Sequence, residues 1–241
     1  MSEKGKLRLQ VYLSRCDLGS RRLCEKLISG NRVTVNGINA VVGVKVGEGD
    51  RVCVDGKSVK PSEQSLYIAL NKPSGYLCTN ADPFDRPLAV DLLRKSLGNT
   101  KVFHVGRLDF NSSGLIFYTN DGQFAQSVAH PSMGIRKTYL VETSKRINEG
   151  MLKQYKRGVA IGAEKYRLST YRIEAERRCR LVLIEGKNRE IRKVFDHFGH
   201  KIKAIRRIKI GVVSIRALKS GESRLLTKSE VSWFLARLTS N

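Results

Sequence analysis

Apolar positions in the first sixty residues recur at helical spacing and then in short runs. Leu9 and Leu13 stand four apart within 8–16, and Ser20 as N-cap opens a second helix over 21–29 that Gly30 stops. At 100° per residue, Leu23, Cys24, Leu27 and Ile28 share one side of that helix, while Arg21, Arg22 and Lys26 share the other. Short apolar runs follow at 32–35, after the Asn36-Gly37 turn, and at 51–54, bounded by Gly47-Glu48-Gly49-Asp50 and Asp55-Gly56. The pattern predicts two helices on a small β-sheet. The polar stretch Lys60-Pro61-Ser62-Glu63-Gln64-Ser65 then predicts a linker, with one domain over 7–60 and a second over 64–241.

Beyond the linker the periods mix. Strand patterns are expected at 66–71, 101–108, 115–118, 137–141, 169–174, 181–185 and 208–213, and helices at 88–97, 123–129 and 148–157. A further helix is expected with Asn188 as N-cap and Gly199 as stop; Ile191, Val194, Phe195 and Phe198 fill one arc, and Arg189, Arg192, Lys193 and Asp196 the opposite one. Leu226 onward, with Val231, Phe234, Leu235 and Leu238, reads as a closing amphipathic helix. Strands and helices alternate without a βαβ repeat, so the class is α+β.

Charge narrows the partners. The chain carries 45 Lys and Arg against 22 Asp and Glu, a formal net charge of +23 over 241 residues. That excess is far beyond what solubility requires and points to a polyanion. Hydrophobic residues make up 41% of the chain, so the charge belongs to a folded body and not to a disordered tail. Cys16, Cys24, Cys53, Cys78 and Cys179 are odd in number and lack C-x-x-C spacing, and they read as buried free thiols. With no signal-peptide pattern and no apolar run near 18 residues, the expectation is a soluble cytoplasmic protein. His197 and His200 bracket a helix end with no Cys nearby, so no metal site is expected.

One loop concentrates candidate chemistry. Between the apolar runs at 101–108 and 115–118, Asp109 is expected at a strand end, followed by Asn111-Ser112-Ser113-Gly114. Arg107, two residues earlier, would point to the same face in an extended chain, and a guanidinium favours the charged form of a neighbouring carboxylate. The same residues also fit a turn with a surface ion pair.

The run from Ser20 to Gly37 resembles the S4 RNA-binding module, over nearly its whole length from Leu7 to about Val59. That resemblance implies RNA contact by Arg15, Arg21, Arg22, Lys26 and Arg32. Four later stretches occur in order: Asn71-Lys72-Pro73-Ser74-Gly75; Gly106-Arg107-Leu108-Asp109 with Ser113-Gly114-Leu115; Lys137-Thr138-Tyr139; and Gly186-Lys187-Asn188-Arg189-Glu190-Ile191-Arg192. Together they resemble the RsuA/RluB/RluE/RluF group of ribosomal RNA pseudouridine synthases across almost the whole chain. Val105 to Asp109, the His130-Pro131-Ser132 triplet and Tyr67 to Thr79 look closest to the B-type enzymes of the large ribosomal subunit.

The resemblance implies a mixed, mainly antiparallel catalytic domain and a cofactor-free isomerisation of uridine in ribosomal RNA, most closely 23S. It implies Asp109 as the catalytic carboxylate, either nucleophile or base on the ribose, Arg192 as its basic partner, and Tyr139 stacked on the uracil. Arg107 matches the side chain that fills the space of the flipped base, with Ile205 (leucine in most of the group) and Lys72 also at the substrate. Lys187, Asn188 and Arg189 are implied RNA contacts, and a monomer is expected. Alternatives are a small-subunit or transfer-RNA synthase, or a non-catalytic S4-type RNA-binding protein.

Overall fold

The computed structural model describes residues 6–61, 64–98, 100–215 and 218–239, so Ser62 and Glu63 of the predicted linker lie outside it. The chain divides into two compact units, Met1–Ser65 and Leu66–Asn241.

In the first unit, helices Leu9–Arg15 and Arg21–Ser29 accompany a four-stranded antiparallel sheet in the order Ile38–Asn39, Val33–Val35, Val52–Val54, Lys57–Ser58. Leu7–Arg8 pairs separately with Lys45–Val46. The Ser20 hydroxyl accepts from the Leu23 N–H at 3.2 Å, the N-cap that the sequence predicts. Leu9, Leu13, Cys24, Ile28, Val33, Val46 and Val52 form the core. Leu23 does not join them. It is 48% exposed, at the margin of the apolar stripe, and lies against Gly19, where an added Cβ would meet its Cδ2 at 2.5 Å. The thiols also differ from expectation: only Cys24 and Cys179 are buried, the other three partly so, and all five are free.

The second unit is built on one sheet, nine-stranded among the described residues. Its order is Thr170–Ala175, Arg178–Leu183, Lys137–Thr143, Ile202–Ile210, Ser113–Thr119, Tyr67–Lys72, Ser223–Leu225. Phe103–Val105 adds to Ser113–Thr119, and Val213–Ser214 to Ile202–Ile210. The pairings are antiparallel except where Ser113–Thr119 meets Ile202–Ile210 in parallel, through Arg206 opposite Ser113 and Arg207 opposite Gly114.

Both faces of the sheet are covered. Helices Glu149–Arg157 and Glu190–His197 pack Met151, Tyr155, Val194 and Phe195 with Ile116, Tyr118 and Val141. On the other face, helices Gly122–Ala129 and Lys228–Thr239 bring Phe124, Val128 and Phe234 against Leu115 and Phe117. Successive residues of the 113–119 strand therefore enter opposite cores, which explains an uninterrupted apolar run where a half-buried strand would alternate.

Some element ends moved. The strand expected over 101–108 is only Phe103–Val105, because Gly106 takes a positive φ of 68° and turns the chain. The helix expected over 88–97 is a 3₁₀ turn, Ala89–Leu93, running into Arg94–Leu97. The strand expected at 181–185 runs Arg178–Leu183. Among the described residues no helix is long and apolar enough to cross a membrane.

At the parallel junction a Cβ on Gly114 would lie 2.2 Å from the Arg207 carbonyl oxygen and 2.6 Å from its nitrogen, and Gly114 has φ +111°. Gly114→Ala must therefore push two backbones apart as well as strain its own, and it should cost on the order of 3 kcal/mol. Urea unfolding checks this, and an unchanged midpoint would show that the junction can relax.

Candidate active site

A cleft of about 480 Å³ opens where the 106–112 loop meets the start of the Glu190–His197 helix. Leu108, Leu183, Ile191, Ile205 and the Tyr139 ring supply apolar lining, and Asp109, Arg107, Arg189 and Arg192 supply charge.

Asp109 is in the loop and not at a strand end. The loop is held from several sides: Leu108 is buried, its N–H donates to Cys78 Sγ at 3.4 Å, and the Gly75 N–H donates to the Phe110 carbonyl at 2.8 Å. The Ser112 N–H closes a turn on the Asp109 carbonyl at 3.0 Å. Arg107 and Asp109, on either side of buried Leu108, both line the cleft, yet they form no ion pair with each other. The ion pair of Asp109 is with Arg192, Nε to Oδ2 at 3.5 Å.

Arg192 is anchored independently of that carboxylate. Its Nη2 donates to the Asn111 carbonyl at 2.9 Å and to the Ser112 hydroxyl at 3.2 Å. The guanidinium thus clamps the loop's far end and faces the carboxylate at ion-pair distance, with no Nε hydrogen bond formed. The Asp109 side chain is 33% exposed, which leaves it open to a substrate. The guanidinium faces the carboxylate without covering it.

Tyr139 lies in the middle of the Lys137–Thr143 strand, opposite Leu181 on one side and Arg207 on the other. Its ring is nearly buried yet lines the cleft, so it offers a flat apolar surface there. Arg207, to which the sequence reading assigned no role, lies beneath. It is 3% exposed; Nε donates to the Leu115 carbonyl at 2.7 Å, and Nη1 to the Arg107 carbonyl at 3.4 Å and the Tyr139 hydroxyl at 3.5 Å.

Glu190 is the second residue that sequence reasoning missed. It is buried, accepts from the Tyr155 hydroxyl at 3.0 Å and the Lys187 N–H at 3.2 Å, and burial pushes its carboxyl above the ordinary range. These bonds fix the turn that leads into the helix. The N-cap is consequently Arg189, with φ +52°, and Asn188 sits one residue before it. Glu190 lies inside the 186–192 motif and Arg207 in none of the four, and a buried charge on a strand or in a turn has no periodic signature.

The other candidates fall into three places. Ile205, Arg107, Lys187 and Arg189 line the cleft. Lys72 does not: it is fully buried, its Nζ donates to the Pro73 and Tyr76 carbonyls at 2.8 Å each, and burial lowers its pKa while Asp109 pulls the other way. It braces the 72–76 loop from within and presents no atom to a substrate. In the first unit, Arg21, Arg22 and Lys26 are exposed along one helix, Arg15 is half-buried at the end of the other, and Arg32 is engaged with Asp55, Nε to Oδ1 at 2.8 Å.

This constellation of a carboxylate clamped by an arginine, beside an aromatic floor and below a basic rim, suits chemistry on a flat ring carried by a polyanion. Comparison with known proteins agrees. Residues 66–197 match the RNA pseudouridylate synthase family, and residues 7–52 match the S4 domain. An RNA pseudouridine synthase of Borreliella burgdorferi is 40% identical over 235 residues, covering 96% of this chain and 94% of that protein. The dual-specificity RNA pseudouridine synthase RluF of Escherichia coli is 36% identical over 227 residues, 93% and 77% of the two chains. A crystal structure of a pseudouridylate synthase superposes with a TM-score of 0.70 at 28% identity, over 95% of this chain and 99% of that one. The chain therefore belongs to the RNA pseudouridine synthases, in the RsuA group that carries an S4 domain, and it is an isomerase of uridine in RNA.

Proposed function

We propose that the enzyme isomerises uridine in ribosomal RNA, specifically 23S RNA of the large subunit, with Asp109 as the catalytic carboxylate. The observation that carries the site assignment is the Asp109–Arg192 pair in the cleft, accessible to a ligand and adjacent to the Tyr139 ring. The motif resemblance of 105–109, 130–132 and 67–79 supports the large-subunit target.

In this reading the target nucleotide leaves its helix and its uracil lies on Tyr139 and Ile205, with Arg107 taking the vacated space. The C1′–N1 bond breaks, the uracil turns while held, C1′ joins C5, and the C5 proton is lost to a base while N1 is reprotonated. Composition is unchanged. Asp109 acts as an anion in either route, by attack on the nucleoside or by removing a ribose proton, and Arg192 stabilises the charge it starts and ends with. Residues 7–60 hold RNA by phosphate contacts through Arg15, Arg21, Arg22, Lys26 and Arg32, residues 64–241 carry the chemistry, and Lys187, Asn188 and Arg189 contact RNA at the rim. A second reading, in which the enzyme has more than one target, is favoured by the similarity to a relative named as dual-specificity. Mapping pseudouridine in ribosomal and transfer RNA from cells with and without the gene tests both, and an unchanged 23S map would overturn the first.

Asp109→Asn keeps shape and removes charge. Single-turnover rates on an RNA hairpin should fall below about a hundredth of wild type, with affinity within a few fold. Turnover above that level would move the catalytic role elsewhere. Tyr139→Phe retains the ring and loses only the hydroxyl that Arg207 approaches, so the rate should drop while the thermal melt hardly moves. An unchanged rate would return Tyr139 to a packing role. Replacing Arg21, Arg22 and Lys26 together by Ala should weaken binding and flatten log K against log salt by roughly one unit or less per lost phosphate contact. A slope equal to wild type would mean that this face is only solvated.

A further inference from the structure

The 79–87 loop stands outside the cleft lining, but its root adjoins the Asp109 loop. The Leu77 N–H donates to the Pro87 carbonyl at 2.8 Å, the Ala89 N–H to the Leu77 carbonyl at 2.9 Å, and Asn80 Nδ2 to the Val102 carbonyl at 3.1 Å. Cys78 accepts from the N–H of Leu108, the residue before Asp109. Within the loop the Asp82 carboxylate gathers the tip. It accepts from the Phe84 N–H at 3.1 Å, the Arg86 N–H at 3.2 Å, Arg86 Nε at 3.0 Å and Arg86 Nη2 at 2.6 Å. The Arg86 guanidinium is thereby set 5.3 Å from the Phe84 ring centroid. The ring itself is 75% exposed.

A rigid loop that holds an aromatic ring in water, backed on one face by a guanidinium, is built to stack something flat on the other face. The substrate supplies it. Turning a uridine out of a helix leaves neighbouring bases without their stacking partner, and RNA-binding proteins meet such bases with aromatic faces. We propose that Phe84, fixed by Arg86 and Asp82, is a stacking platform for an unpaired nucleobase of the RNA substrate, beside the one that enters the cleft. Because Asp82 already neutralises Arg86, the platform contributes stacking and no net phosphate neutralisation. The inference rests on the enzyme's RNA substrate and not on which RNA that is.

The test uses the full-length protein with a 12-nucleotide single-stranded oligoribonucleotide carrying 5-iodouridine, and a blunt duplex of the same sequence. Phe84→Ala should weaken single-strand binding about fivefold or more, leave duplex binding unchanged, and keep the wild-type salt slope. Phe84→Tyr should restore the affinity, and ultraviolet irradiation of the wild-type complex should give a cross-link mapped to Phe84. The side chain is exposed, so melts of the variants should match wild type. Wild-type affinity of Phe84→Ala for the single strand, an equal loss on the duplex, or a cross-link elsewhere with none at Phe84 would overturn the platform.

Discussion

The site depends on a contact between two backbones. Gly114 and Arg207 meet at the parallel junction of the large sheet, at a separation that excludes any side chain on residue 114. Through this junction one row crosses the sheet from Leu181 to Tyr139, Arg207, Gly114 and Lys72. The Asp109 loop enters the 113–119 strand immediately before Gly114. The close approach therefore fixes where the loop emerges relative to Tyr139, and it lets Arg207 reach the carbonyls of Leu115 and Arg107 on either side of that loop. A parallel pair in an otherwise antiparallel sheet is the price of bringing residues a hundred positions apart to one point.

That row also explains two cations that would otherwise be unfavourable. Lys72 is fully buried and Arg207 nearly so, and both are bonded to carbonyl oxygens and not to a carboxylate. Burying a charge without a counterion is costly, and structures tolerate it where the field it creates is used. Here Lys72 and Arg207 lie beneath the cleft, and Arg192 closes it from the helix. Arg192 pairs directly with the accessible Asp109 carboxylate, and Lys72 feels that charge from the buried side. Arg192 alone both clamps the loop and faces the carboxylate, so the loop's shape and its electrostatics cannot be changed separately.

Recognition of RNA divides by the same physics. Exposed Arg21, Arg22 and Lys26 are free of the bidentate pairing that engages Arg32 with Asp55, and phosphate neutralisation by such groups is salt-dependent and poor in sequence information. At the cleft the Tyr139 ring, and outside it the exposed Phe84 ring, offer flat aromatic faces, and stacking on such faces does not depend on charge neutralisation.

Composition and periodicity determined much by themselves. The basic excess implied a polyanion, and the Ser20 cap and Gly30 stop bounded a helix to the residue; the family resemblance, and neither composition nor periodicity, led to Asp109, Tyr139 and Arg192, which the structure gathers at one cleft. These are local signals: caps, turns and stripes depend on neighbours in sequence. Tertiary structure alone decided the rest. Arg107 lines the cleft beside Asp109 but forms no ion pair with it; the pair is with Arg192, the partner that the resemblance implied. Lys72 turned inward, Leu23 stayed outside its predicted core, and Arg207 and Glu190 became supports, since whether a charged or apolar side chain is buried is set by what packs over it. The packing partners of the site come from strands and helices far apart in the chain, and that information is carried by the close approach at Gly114 and not by any local pattern.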